Sequence, residues 1–145
     1  TLMRKILMLM VTLLVMPMTA LAAGIEVDEK TLFEGNFTID SMHTKDGRAY
    51  ELSASGDAGP YGRVYLSYVL TNMQAVDGRG EFTGHAWTQS GEDVVTATLQ
   101  GISVKEGSVY KLYSFDLVSN GVMNLAIGTV DMVAGTMSFK VGEID

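Results

Sequence analysis

The chain has 145 residues, with 10 basic and 17 acidic side chains, a formal charge of −7 at neutral pH and no cysteine. The missing cysteines exclude disulfides, thiol catalysis, cysteine-based zinc sites and iron–sulfur clusters. The acidic balance repels phosphate backbones, so nucleic acid is not an expected partner, and anionic lipid head groups are disfavoured on the same ground.

The first segment reads TLMRKILMLMVTLLVMPMTALAAG, with Arg4 and Lys5 ahead of an apolar run from Ile6 to Met16, then Pro17 and small residues. This is the three-part layout of a secretory signal peptide over residues 1–22. The run falls short of the roughly 20 residues a membrane-spanning helix needs, so no stable membrane insertion is expected after cleavage. Ala20-Leu21-Ala22 fits the small-x-small cleavage rule and sets a single mature domain at 23–145. With no cysteine after it, a lipid anchor is not expected. Losing Arg4 and Lys5 leaves 8 basic against 17 acidic side chains, a formal charge of −9. The destination is exported, periplasmic or extracellular.

The acidic stretch Gly24 to Lys30 reads as a flexible lead-in. Beyond it, turn dipeptides and glycines recur at Asp46-Gly47, Gly56 to Gly62, Asp77-Gly78, Ser90-Gly91, Glu106-Gly107, Asn120-Gly121 and Ala134-Gly135. Between them lie alternating runs rich in β-branched and aromatic residues, and no helical stripe persists after residue 30. The predicted strands are 31–43, 48–55, 62–73, 80–87, 93–103, 108–118, 122–131 and 135–142. Asp46-Gly47 and Asn120-Gly121 suit two-residue hairpins. Short links favour an antiparallel up-and-down meander, and closure into an eight-stranded barrel pairs every backbone group. The fold class is therefore all-β.

Alternation assigns an inner face. Val64, Leu66, Tyr68 and Leu70 share one side of the third strand, Val95, Ala97 and Leu99 of the fifth, and Met137, Phe139 and Val141 of the eighth. On the seventh strand Met123, Leu125 and Ile127 are expected inside. Gly84, Ala86 and Ala97 are small inward residues that leave room for a modest apolar pocket.

The stretch DGRGEFTGHAW, Asp77 to Trp87, concentrates glycines with a histidine and the only tryptophan. Its spacing is G-x-G-x-x-x-G with no helix to follow, so it is a turn and strand and not a phosphate cradle. Parity puts Phe82, Gly84 and Ala86 inside and His85 and Trp87 outside, where they are candidates for a subunit contact in a homo-oligomer. His43 and His85 lack metal-site spacing, and no G-x-S-x-G elbow is present, so neither a metal nor a cofactor is expected. Five of the ten methionines, Met3, Met8, Met10, Met16 and Met18, fall in the signal segment, and the rest read as core filling. The lumen candidates for ligand contact are Arg63, Leu66, Tyr68, Phe82, Tyr113 and Phe139, in which phenols and a cation give an apolar pocket a polar handle. For catalysis, Tyr68, Tyr113 and Arg63 are the polar candidates.

Gly59-Pro60-Tyr61-Gly62, leading into RVYLSYVL, and Gly78-Arg79-Gly80-Glu81-Phe82-Thr83-Gly84 resemble the G-x-Y-G turn and G-x-G-x-F-x-G segment of the allene oxide cyclase-like, calycin-type small barrels. The likeness spans about a third of the chain and rests on turn and packing residues. It implies an eight-stranded barrel with a central apolar cavity, often oligomeric through its outer face. The acidic and amide catalytic residues of the plant cyclases have no match here, so cyclase activity is not carried over. The sequence thus points to an exported barrel binding a small apolar molecule in its lumen. A cofactor-free isomerase or cyclase and a ligand-free structural barrel are the alternatives; a small outer-membrane barrel is opposed by outward Thr, Ser, Lys and Gln.

Overall fold

A computed structural model describes residues 24–145; the signal segment expected over residues 1–22 lies outside them. Eight antiparallel strands close into an up-and-down barrel: β1 (Phe33–His43), β2 (Tyr50–Ala58), β3 (Arg63–Thr71), β4 (Arg79–Ser90), β5 (Asp93–Glu106), β6 (Val109–Val118), β7 (Met123–Asp131) and β8 (Thr136–Glu143). Each strand pairs with its sequence neighbours, and β8 returns to β1 through the register Phe33↔Val141 to Thr38↔Thr136. The one register shift on β1, between Ile39 and Ser41, leaves Asp40 as the extra residue of a bulge.

The strand bounds agree closely with the alternation except at three ends, one of them that of β5, which runs on past 103 to Glu106. β2 continues through Gly56 to Ala58, because Gly56 lies so close to β1 that a Cβ would overlap the Asn36 carbonyl; the glycine serves close packing within a strand. β4 runs on to Ser90, paired with Asp93 across the hairpin.

Both expected two-residue hairpins turn out longer. A primed turn needs positive φ at both central residues. Here Gly121 has φ 91 while Asn120 does not, and the loop closes as Gly121 N–H to the Val118 carbonyl and Val118 N–H to the Val122 carbonyl. In the β1–β2 loop the Asp46 carboxylate accepts from the Arg48 and Ala49 amides at 2.8 and 2.9 Å, so a side chain, not a backbone type, shapes the turn.

The lead-in is also docked, not free. Val27 bridges Ile144, Asp28 caps a 3₁₀ turn over Glu29–Thr31, and the Thr31 hydroxyl accepts from the Glu143 amide at 2.9 Å.

The core is the barrel lumen. Phe37, Leu52, Leu66, Tyr68, Phe82, Leu112, Val130, Met137 and Phe139 are buried there. Tyr68 meets Phe82 edge-on at 5.6 Å and stacks with Phe139 at 6.4 Å, an aromatic group that links three strands. β3, β5 and β8 turn the expected residues inward, but β7 does the reverse. Asn124, Ala126, Gly128 and Val130 face the lumen, and Met123 and Ile127 are exposed. On β6 the inward set is Leu112, Ser114, Asp116 and Val118, with Phe115 and Leu117 outside.

Candidate functional site

One cavity occupies the end of the lumen formed by the start of β1, β3, β5 and β7 and the end of β2, β4, β6 and β8. It has a volume of about 90 Å³. Its wall is made of Phe37, Leu66, Leu99, Val141 and their neighbours, and the small side chains of Ala86, Ala97 and Ala126 supply the space. Ala86 and Ala97 are register partners on β4 and β5, so two truncated positions sit side by side. Exposed Trp87 and Thr96 contribute to the rim.

Polar groups in this wall are few and concentrated. Asp116 and Asn124 are register partners on β6 and β7, and both line the cavity with Tyr68. Desolvation in the apolar lumen pushes the Asp116 carboxyl up to about 6, opposed by the hydroxyl of Ser114, which donates to Oδ1. Burial, with the Asp116 charge as a second cause, holds the Tyr68 phenol well above its ordinary value, so it stays protonated. Asn124 is buried, and its Oδ1 accepts no hydrogen bond within the protein. A buried acceptor without a donor costs about 1–3 kcal/mol, so this oxygen favours any donor that enters the cavity.

Four of the six residues expected at the lumen do face it. Leu66, Tyr68, Phe82 and Phe139 are buried in the core, and all but Phe82 line the cavity; Phe82 lies deeper, at the barrel's waist. Arg63 and Tyr113 are corrections. Arg63 precedes inward Val64 and so points out, where its Nη2 donates to Ser55 Oγ at 3.0 Å and its guanidinium lies 5.7 Å from the Tyr65 ring. Tyr113 follows inward Leu112 and lies outside under the Lys111 ammonium, 5.3 Å away. Both share one cause: on strands flanked by aromatic residues on either face, parity and not residue type decides direction.

His85 and Trp87 lie on the outer face. His85 is exposed between Ser67 and Thr98, and Trp87 stacks on Tyr65 of its own chain at 4.6 Å. His43 pairs with Glu51 at 2.8 Å in an exposed position. Among the described residues no three His, Cys, Asp or Glu side chains gather at one point.

Asp116 and Asn124 were not among the sequence candidates. A signal for Asp116 existed: it interrupts Tyr113-Ser114-Phe115-Asp116-Leu117-Val118, a carboxylate in the middle of an apolar strand. Asn124 gave none, since it follows a turn where asparagine is common.

Comparison with protein-family models, with curated proteins and with solved structures finds no match to this chain.

Proposed function

We propose that the protein is an exported barrel that holds one small, mainly apolar molecule in its lumen, with a single hydrogen-bond donor of that molecule directed at Asn124. The observation that carries this reading is the unpartnered, buried Oδ1 of Asn124, a residue that lines a mainly apolar cavity with Asp116 and Tyr68. Export is supported by the charged, apolar and small-residue order of residues 1–22. An apolar lumen is the reverse of a membrane barrel's polar interior, and outward Glu34, Asp57 and Lys140 place charge on β1, β2 and β8, although β6 and β7 turn Phe115, Leu117, Met123 and Ile127 out; the lumen and these charges favour a barrel surrounded by water. Kinship with the allene oxide cyclase-like barrels rests on the two glycine motifs and belongs to the same proposal.

The size of the cavity limits the ligand. At about 90 Å³ it lies below the roughly 300 Å³ of drug-sized sites, so a single ring or a short chain is the expected occupant, its free end projecting past the rim.

Phenol and benzene separate the parts of the claim. In calorimetric titrations phenol is expected to bind saturably and benzene about tenfold more weakly, the worth of one hydrogen bond. Ala97→Leu, which fills the cavity, should abolish both. Equal affinities would mean that Asn124 accepts no hydrogen bond from the ligand. If neither compound binds or raises the melting temperature, the lumen-binding reading fails, because a ligand that prefers the folded state must stabilise it.

A second reading, a cofactor-free isomerase or cyclase, is favoured by one observation. A carboxyl at about 6 beside a protonated phenol is placed to exchange protons near neutral pH. That reading requires Asp116→Asn to abolish turnover of a bound substrate while leaving phenol affinity unchanged within about twofold.

A further inference from the structure

The opposite mouth of the barrel is a larger cleft of about 410 Å³, walled by the β1–β2 and β3–β4 connections, the end of β5, the start of β6 and Met132 after β7. Arg48, Arg79 and Lys105 line it with Tyr50 and Tyr110, over a floor that includes Leu70 and Met132. Phe82, Leu112 and Val130, all buried at the waist, separate it from the Asn124 cavity.

Its charge runs against that of the rest of the molecule. Beyond residue 23 the chain carries 17 carboxylates and 8 cations. Three of those cations line this cleft, and no carboxylate does. Among the described residues none of the three has an ion-pair partner; the pairs present are His43 and Lys45 with Glu51. Of the acids near them in sequence, Asp77 and Glu106 do not line the cleft and form no ion pair, and Asp46 and Glu81 are engaged elsewhere. The Asp46 carboxylate is tied to the Ala49 and Arg48 amides, and Glu81 Oε2 accepts from the Met73 amide and the Thr71 hydroxyl at 3.1 and 3.0 Å. Those bonds hold both carboxyls below their ordinary range, so they stay ionised and directed at backbone.

The backbones of Lys105 and Arg79 are also fixed relative to each other. The Lys105 amide donates to the Gly78 carbonyl at 2.7 Å, and Arg79 pairs with Val104 in the β4–β5 register. Arg48 reaches the cleft from a third element, the loop that Asp46 stabilises. Cations on separate elements around a concave, partly apolar surface recognise an anionic head on an apolar body; a concave wall focuses their field, and an acidic exterior directs free anions to this one mouth.

We infer that this cleft is a second binding site, for a small organic anion whose carboxylate or phosphate head lies among Arg48, Arg79 and Lys105 and whose apolar body rests on Leu70 and Met132. It is independent of the lumen site and of the function proposed for that site.

Titration of the ¹⁵N-labelled protein with benzoate, phenyl phosphate and benzyl alcohol tests it. One or both anions are expected to give saturable shifts at Arg79, Lys105 and Tyr110, and whichever binds names the head group. Benzyl alcohol, of similar shape but neutral, should bind at least tenfold more weakly. Arg79→Gln with Lys105→Gln should lower anion affinity tenfold or more, while Lys140→Gln on the outer face of β8 leaves it unchanged. The substituted side chains are exposed, so folding is expected to persist and is checked by the melting temperature. Failure of both anions, equal binding of the alcohol, loss on Lys140→Gln, or shifts confined to the Asn124 end would each overturn the inference. Ala97→Leu should leave anion binding intact, which keeps this site's failure distinct from that of the lumen.

Discussion

Replacing Phe82 by alanine is expected to cost about 3–5 kcal/mol, and to lower the melting temperature by roughly 10–20 °C. Phe82 is 2 % exposed, packs edge-on against Tyr68, and its Cζ lies 3.0 Å from where a Cβ on Gly101 would sit. A close-packed wall of backbone and aromatic rings relaxes little, so most of the lost volume stays as cavity. Phe115 gives the matched comparison. It is the same residue type on β6 but points outward and is 44 % exposed, so Phe115→Ala should change stability by less than about 1 kcal/mol. Equal losses from the two variants, measured by chemical denaturation, would mean that the inner and outer faces are wrongly assigned.

The second large effect is a dependence on pH. The folded Asp116 carboxyl titrates at about 6, against 3.8 for the free side chain, because burial disfavours its charge. A raised folded value means that the native state holds its proton more tightly than the unfolded chain does. Its contribution is therefore fully present below pH 4 and is lost as pH rises through 6. A shift of about two units corresponds to about 3 kcal/mol. Asp116→Asn carries no titrating group, so the variant should overtake the native protein progressively between pH 4 and 7. At pH 7 the expected difference approaches about 3 kcal/mol in favour of the variant. Other acids shift in the opposite sense, as Asp46 and Glu81 do, so the quantity to follow is the difference between the two proteins at each pH. A difference that stays constant over this range would place Asp116 in contact with water.

The same cavity explains what the sequence could and could not reveal. Strands whose two faces differ in polarity were legible: β3 sets Val64, Leu66, Tyr68 and Leu70 against Arg63 and Ser67, and β8 sets Met137, Phe139 and Val141 against Thr136, Ser138 and Lys140. β7 was not, because its outward residues are the larger and more apolar. The reason is volume. A Cβ on Gly128 would sit 2.5 Å from the Phe139 ring, so a strand that faces the large rings of its neighbours can present only small side chains to them. Bulk displaced from the lumen appears outside as Met123, Leu125 and Ile127, and a rule that sends apolar residues inward misreads the strand. Arg63 and Tyr113 failed for a related reason: residue type suggested a pocket, and parity on their strands opposed it.

The candidate site was partly legible. Ala86 and Ala97 correctly signalled space inside the barrel, and Tyr68 and Phe139 its aromatic wall; Gly84 did not, since a Cβ there would overlap the Ser67 carbonyl oxygen. Asn124 could not be found from the sequence, because its significance lies in the absence of a partner for one buried oxygen, which only the assembled lumen defines. The cationic cleft was equally hidden: Arg48, Arg79 and Lys105 are far apart along the chain, and closure of the barrel brings them to one mouth.

In the function proposed above, the Asn124 end of the lumen receives a small apolar molecule through one donated hydrogen bond. A crystal structure of the protein soaked with phenol tests it most directly. The ring is expected between Ala86, Ala97 and Leu99, with its hydroxyl within hydrogen-bond distance of Asn124 Oδ1. An empty or water-filled lumen at saturating phenol, or a ring whose hydroxyl turns away from Asn124, would contradict it.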